Sequence, residues 1–356
     1  MAHPDEHFHT TAHSPHGGGP GWNRRSFLSA VTAGPLAAAR AYGQAKPEFA
    51  FTQYHNQTAD SSLHRRLVEM WTAIGNESSG RIETQVFAEN NKHPGSDPAV
   101  LQMLVSGEIQ FFTLMGGILG NVVPVLNVQQ IPFAFRTTAA AHTAMDGPLG
   151  AYLREEMATK GIVGFPVGAF DNGMRQIAGR TRPVRTPADL AGLRMRVPDG
   201  RMFDDTFRAF GAEPVTVNSS GIYEALQSGK VDAQENPLAY MHSFKHYEVM
   251  KYVSMTNHMW SGFNLIANLA AFRRLPRNLR TIIERHATRA VRLQRQDQDR
   301  ANAEARTQLA ARGLLFNDVD EAPFRATLTG VYAAWKPILG TKCWSLLEAA
   351  VGKLPI

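Results

Sequence analysis

Four short stretches hold the residues whose types and spacing could do chemistry. LRMRV (193–197) alternates Leu193, Met195 and Val197 with Arg194 and Arg196, a short strand with one apolar face and one face carrying two guanidiniums. GAFDNGMRQIAG (168–179) turns at Asn172-Gly173 and opens a strand at Arg175. QENP (234–237) crowds Gln234, Glu235 and Asn236 at a strand end that Pro237 terminates. PVTVNSSG (214–221) runs from a strand into Asn218, Ser219 and Ser220. Arginine suits a planar, bidentate grip on a carboxylate, and a buried guanidinium must find a partner or stay wet. In open α/β sheets, ligands bind beyond the carboxyl ends of strands. Two arginines, an amide and hydroxyls at such ends describe a site for a small organic anion. The bland alternative is that each arginine pairs with a surface acid.

Other chemistries lack their signatures. GxxxxGK[ST], GxSxG, HExxH and a GxGxxG after a strand are all absent. Gly116-Gly117-Ile118-Leu119-Gly120 has the wrong spacing for dinucleotides and reads as a tight turn or a nest of amides. Asp204-Asp205 are neighbours that point apart on a helix, hence a solvated face. His242 and His246 stand four apart with no third ligand evident, so neither a metal nor any other cofactor is expected. Cys343 is the only cysteine, which rules out an internal disulfide and a thiolate cage. A secreted enzyme acting on small acids would need a general base. Glu235 is the best candidate, with no nucleophile to accompany it. Net charge is +6, too diffuse for a nucleic-acid partner, and 44% hydrophobic against 19% charged residues is an ordinary globular balance.

The elements that must position these residues fall into two similar sets. Strands are expected at 49–56, 81–87, 109–114 and 161–170, with helices from about Ser62, from Asp97 to Gly107 and from Thr138 to Lys160. The scheme then repeats: Thr186-Pro187 caps a short helix, LRMRV and AEPVTV are strands, and SGIYEALQSGKVDAQENP runs helix, glycine, strand. VLQMLVSGEIQ (100–110) and IYEALQSGKVD (222–232) align at an offset of 122, Leu104 on Leu226 and Ser106-Gly107 on Ser228-Gly229. Two βα lobes sharing one plan would leave that echo. FNLIANLAAF (263–272) reads as a crossing strand. A helix from about Arg277 to Arg312 spans on the order of 50 Å, long enough to brace both lobes. Amphipathic helices are expected at Ala322–Trp335 and Cys343–Lys353. Tyr54, His55 and Asn56 after the first strand, with Trp260 as an aromatic wall, would complete the pocket.

Residues 1–45 read as an export signal behind a disordered tail. Arg24-Arg25 precedes Ser26-Phe27-Leu28, an alanine-rich run and small residues suited to cleavage, a pattern that resembles a twin-arginine leader. Five histidines (His3, His7, His9, His13, His16) lie upstream of it.

DNGMRQI, DLAGLRMRVP, GAEPVTV and IYEALQSGKVDAQENP occur in this order and resemble the solute-binding proteins of tripartite ATP-independent periplasmic (TRAP) transporters, of the C4-dicarboxylate-receptor type. The likeness runs upstream through SSGRIETQVF, LQMLVSGEI and QQIPFAF, and downstream through the LP-initiated long helix. It implies an α/β, two-lobed periplasmic solute-binding fold of the Venus-flytrap type with a long helix spanning both lobes. Lobe I would comprise 46–172 plus 261–300, and lobe II 173–260 plus 301–356. It also implies that Arg196 anchors the ligand carboxylate, Arg175 is a second contact to it and Asn236 orients the ligand. Arg194 is assigned no site role. Asp232-Ala233 stands where the family usually has Asp-Gly, and Ser219 where many members carry an aromatic, which would enlarge or wet this pocket. The expected site is therefore Arg175, Arg196, Asn236, Glu235, Ser219, His55 and Trp260. The expected protein is periplasmic, carries an organic carboxylate to TRAP membrane subunits, and is a monomer or a dimer through the long helix. The rivals are the secreted enzyme and a ligand-binding subunit of a sensor.

Overall fold

The structure, a computed structural model, describes residues 46–355. The expected leader and the histidine-rich start lie outside the described residues.

Eleven strands form two sheets among the described residues: β1 (Phe49–His55), β2 (Ile82–Phe87), β3 (Phe111–Met115), β4 (Ile162–Phe170), β5 (Met174–Gly179), β6 (Arg194–Val197), β7 (Glu213–Thr216), β8 (Ala233–Asn236), β9 (Tyr252–Trp260), β10 (Phe263–Asn268) and β11 (Leu315–Asp318). The first sheet has the order β2-β1-β3-β10-β4, the second β11-β9-β5-β8-β6-β7. Taken from its β7 edge, the second sheet repeats the first. In each, a parallel trio (β2-β1-β3, β7-β6-β8) is followed by two antiparallel pairings (β3-β10-β4, β8-β5-β9). The sequence echo falls on equivalent helix-to-strand corners. Gly107 (φ 86°) and Gly229 (φ 73°) both take the left-handed conformation that lets the chain leave a helix and enter the central strand, β3 or β8.

The strands read as they do because they are buried. β3 and β10 carry no exposed position, and apolar helix faces cover them. The helix Ser62–Glu77 starts at Ser61, whose hydroxyl accepts from the His64 N–H, and buries Leu63, Leu67, Met70, Trp71 and Ile74. Thr186 and Asp189 form a reciprocal capping box around Pro187–Leu190, which sets the entry into β6.

The chain passes between the sheets at Asp171–Gly173 and at Ser261–Gly262. The Ser261 N–H donates to the Gly173 carbonyl at 2.9 Å, tying the two passages together. The long helix, Arg277–Ala311, packs on the first sheet's elements through Leu279, Ile283 and Ala287. It then presents amides four residues apart to the first passage. Gln294 accepts from the Asp171 N–H and donates to the Asp171 carbonyl, and Gln298 and Asn302 both donate to the Asn172 carbonyl. Gly173 (φ 103°) has no room for a Cβ, which would meet the Asn302 amide. The fold is thus α/β and two-lobed, with one helix touching both halves.

Some expected elements differ locally. The helix expected over 138–160 is two, Thr138–Asp146 and Pro148–Thr159, because Gly147 is extended and Pro148 opens a new first turn. The strand expected through 272 stops at Asn268, whose side chain caps the helix Leu269–Arg273. Gly116–Leu119 is a short helix rather than a turn. The C-terminal helices run Glu321–Ala326 and Thr329–Val351, the second broken at Gly340 (φ 78°). Among the described residues no helix is long and apolar enough to cross a membrane, and no three His, Cys, Asp or Glu side chains are grouped to hold a metal ion.

Candidate functional site

A narrow cleft with about 20 Å³ of accessible space lies where strand ends of both sheets converge. Its walls come from the residues after β1 (Asn56, Gln57), the start of the helix Ser96–Ser106 (Asp97), the ends of β6 and β8 (Arg196, Asn236) and Tyr240.

Arg196 is the one buried cation of the cleft that lacks an acid. It is 3% exposed. Its Nε donates to the Val217 carbonyl at 2.8 Å, and no carboxylate lies within 4.0 Å of it among the described residues. Burial pushes its guanidinium down to about 10, with Tyr240, Glu235 and Asp97 acting against that, so it stays charged at neutral pH. A charge kept this dry without a partner is costly, and its two terminal nitrogens are free to form the fork that a carboxylate fits.

Arg175 is equally buried, 2% exposed, and fully engaged. It forms a bidentate pair with Glu235. One terminal nitrogen also donates to the Glu235 carbonyl at 2.8 Å and to Asn236 Oδ1 at 3.2 Å, and the other donates to Ser261 Oγ at 2.8 Å. His258 Nε2 closes on Glu235 at 3.2 Å, while its Nδ1 meets Thr256 Oγ1 at 2.8 Å. Burial alone would raise the Glu235 carboxyl. Arg175 and His258 reverse that and hold it below the usual carboxylate range. Phe203 stacks its ring 5.4 Å from the Arg175 guanidinium.

The opposite wall carries an acid. Asp97 is 3% exposed and accepts from the amides of Asn56 (2.9 Å) and Asn90 (2.6 Å), one on each oxygen. Burial pushes its carboxyl up, against those two donors and Arg196. Asn90 reaches it from Glu89–Lys92, four successive residues in the left-handed region. Non-glycine residues resist that conformation by roughly 1–2 kcal/mol each, so the turn holds the Asn90 amide where packing demands it. Ser96 Oγ meets Ser219 Oγ at 3.3 Å, a hydrogen bond from one lobe to the other across the cleft. The Tyr240 hydroxyl, on the cleft wall in a residue 4% exposed, has no hydrogen-bond partner. Such an orphan in a buried position normally has a ligand or water to satisfy it.

Of the seven expected site residues, the structure places Arg175, Arg196, Asn236 and Ser219 on the cleft wall. The other three are not there. Glu235 is 0% exposed behind Arg175, its carboxylate enclosed by Arg175 and His258. His55 is also fully buried. Its Nδ1 accepts from the Gln57 N–H, so its Nε2 carries the proton and donates to His64 Nδ1 at 2.9 Å, and burial first, then His64, lowers it to about 3. The alternation of β1 turns it away from the cleft and leaves the next residue, Asn56, facing it. Trp260 is core: its indole N–H donates to Asp171 Oδ1 at 2.7 Å beside Phe135. Arg194 pairs with Asp232 at 2.6 Å on the outer surface, an acid 38 positions distant in the chain. Sequence reasoning missed Asp97, Gln57, Asn172, Tyr240 and Ser261. Asn172 was visible only as a turn residue.

A family model described as bacterial extracellular solute-binding protein, family 7, matches residues 54–337. The protein y4mM of Sinorhizobium fredii is 33% identical over 73% of this chain, which spans about half (48%) of that relative's length. The 2,3-diketo-L-gulonate-binding periplasmic protein YiaO of Escherichia coli is 29% identical over 70% of this chain and 74% of its own. Among solved structures, a TRAP periplasmic solute-binding protein from Polaromonas bound to D-erythronate superposes with a TM-score of 0.80 at 26% identity, covering 85% of this chain and 98% of that one.

Proposed function

The chain belongs to the family 7 extracellular solute-binding proteins of TRAP transporters, and from that premise we propose that it captures a small organic acid by forking its carboxylate onto Arg196, closes its lobes around it and delivers it to membrane subunits. The observation that carries this is the buried guanidinium of Arg196, unpaired and turned to a cleft. Charge-assisted hydrogen bonds contribute about 1.5–3 kcal/mol each, and a ligand that touches both walls favours the closed arrangement over the open one. The Ser96–Ser219 contact supports a closed form in which the lobes meet at the cleft mouth. Arg175, already neutralised by Glu235, shapes the floor and offers at most one N–H direction to the ligand. Asn236, whose amide spans Arg175 and Gln234, is held rigid to orient it.

The enzyme alternative loses its base. Glu235 is sealed from the cleft and paired to Arg175 and His258. Family members are periplasmic, and we assign the Arg24-Arg25 leader the export step by the twin-arginine route.

The test is a thermal-shift comparison of hydroxy acids with their methyl esters. The acids are expected to raise the melting temperature and the esters to leave it unchanged. An ester that stabilises as well as its acid contradicts the carboxylate grip, and consumption of the acid, followed by mass spectrometry, contradicts a pure binding role.

A further inference from the structure

The positive charge of the chain gathers on one segment. Arg273–Gln296 holds eight arginines and one acid, Glu284, while the whole chain carries +6, so the remainder is close to neutral. Arg285 is paired with Glu77 and Arg295 with Asp146. Arg273, Arg274, Arg277, Arg280, Arg289 and Arg292 form no ion pair with a carboxylate among the described residues, and all but Arg280 are exposed. Arg285, Arg289 and Arg292, four and three positions apart, share the stripe opposite the buried Leu279, Ile283 and Ala287. Like charges at that spacing repel, so the stripe stands unneutralised over a reach, Arg277 to Arg292, on the order of 20 Å. The exposed large apolar side chains, Val68, Val105, Leu315 and Ile338, all lie outside the segment. It therefore lacks the apolar centre on which protein interfaces are built. Between the long helix and Ser62–Glu77 runs a groove with about 180 Å³ of accessible space. Met70, Ala73, Ala290 and Leu293 line it with hydrocarbon. Arg66 and His286 on its lining are held by Asp297 and Glu77, which leaves Arg289 as the cation there without an acid. A free guanidinium beside hydrocarbon suits an amphiphile, with the fork on a phosphate and carbon behind it. A bare phosphate would leave the hydrocarbon unused.

We infer that this face docks on the surface of an anionic phospholipid bilayer, with Arg277, Arg289 and Arg292 gripping headgroup phosphates and the groove receiving the glycerol carbons of one lipid. The opposite face of the helix stays packed on the first sheet's elements, so docking asks for no change of fold. The attraction is electrostatic and reversible. It acts apart from the cleft and does not depend on which acid, or whether any acid, is bound there.

The test is flotation of the full chain with vesicles of phosphatidylcholine alone or mixed equally with phosphatidylglycerol. The wild type is expected to float with the mixed vesicles and not with phosphatidylcholine. It should be released at about 1 M salt, where the screening length falls to about 3 Å. The triple variant Arg277→Gln/Arg289→Gln/Arg292→Gln should bind about 100-fold more weakly, close to 5-fold per charge lost at an anionic surface. A second triple, Lys160→Gln/Arg185→Gln/Lys230→Gln, removes the same charge from exposed positions elsewhere. It should change binding by less than about 5-fold. Both triples should bind organic acids as the wild type does in calorimetry, so a failure to bind vesicles and a failure to bind acids are read separately. A wild type that ignores the anionic vesicles, or two triples that lose binding equally, overturns the inference. Release by inorganic phosphate at constant ionic strength would make the face a free-anion site and overturns the lipid assignment. So would binding to immobilised polyglutamate as tight as to the vesicles, which would make it a docking face for an acidic protein.

Discussion

Arg175 and Arg196 lie two strands apart in the second sheet, on either side of β8, and are buried to the same degree. They differ in what meets them. Around Arg175 a carboxylate, a carbonyl, an amide oxygen and a hydroxyl take up the donors. Around Arg196 a single carbonyl takes one, and the rest face a cleft. A buried charge with its counter-charge built in is architecture. A buried charge without one is held ready for a guest, at a cost to the unliganded protein. Histidines in the same interior respond to burial by shedding their charge: His246, close enough to feel Arg196, is lowered to about 3, chiefly by desolvation. Arginine cannot do so at neutral pH.

Removing each guanidinium's partner, or the guanidinium itself, should break this contrast most visibly. Arg196→Ala is expected to weaken acid binding by roughly 100-fold or more, the loss of about two charge-assisted hydrogen bonds. The unliganded protein should melt at the same temperature or higher, because a desolvated charge has gone. Calorimetry and thermal shift on one preparation read both, and a large drop in the unliganded melting temperature would place Arg196 with Arg175 as architecture.

Glu235→Gln should do the reverse. It strands Arg175 without its counter-charge, and breaking such a buried pair costs about 3–5 kcal/mol of stability in denaturant unfolding. Adding Arg175→Met should recover part of that loss. A single variant as stable as the wild type would show that the pair is not what holds this floor together.

Smaller effects sharpen the comparison. Between pH 6.5 and about 3 the unfolded chain protonates His55 and His246 while the folded one does not. Stability should therefore fall as the pH drops through that window, by about 1.4 kcal/mol per pH unit for each histidine. Replacing His246 with Phe should remove one of the two contributions, and an unchanged slope in urea titrations across pH would contradict it. Smallest is Ser219→Ala, which removes one neutral hydrogen bond between the lobes. Ligand affinity should fall by no more than about 10-fold, in line with about 0.5–1.5 kcal/mol, with the melting temperature of the unliganded protein nearly unchanged.

The repeated plan was legible because glycine punctuates it. Ser106-Gly107 and Ser228-Gly229 mark the same corner in both halves, and the sheets built on them share one pairing order. The same offset lays Asp97 on Ser219, each at the first turn that faces the other lobe. Asp97 itself escaped notice because an acid at a helix start is ordinary. Only the tertiary fold, which brings Asn56, Asn90 and Arg196 around it, gives it a task. Arg196 was legible from strand alternation and its place at a strand end, whereas His55, expected just after the first strand, is the last residue of β1 and fully buried. The partnership of Arg175 with Glu235 joins residues 60 positions apart, and no local pattern could have shown that β5 and β8 would pair in that register.

The most direct measurement is a crystal structure of the protein with a bound hydroxy acid. The carboxylate oxygens are expected within about 2.7–2.9 Å of both terminal nitrogens of Arg196, with the Arg175–Glu235 pair intact beneath. A carboxylate bound elsewhere, or one that displaces Glu235 from Arg175 and leaves Arg196 untouched, would contradict the account.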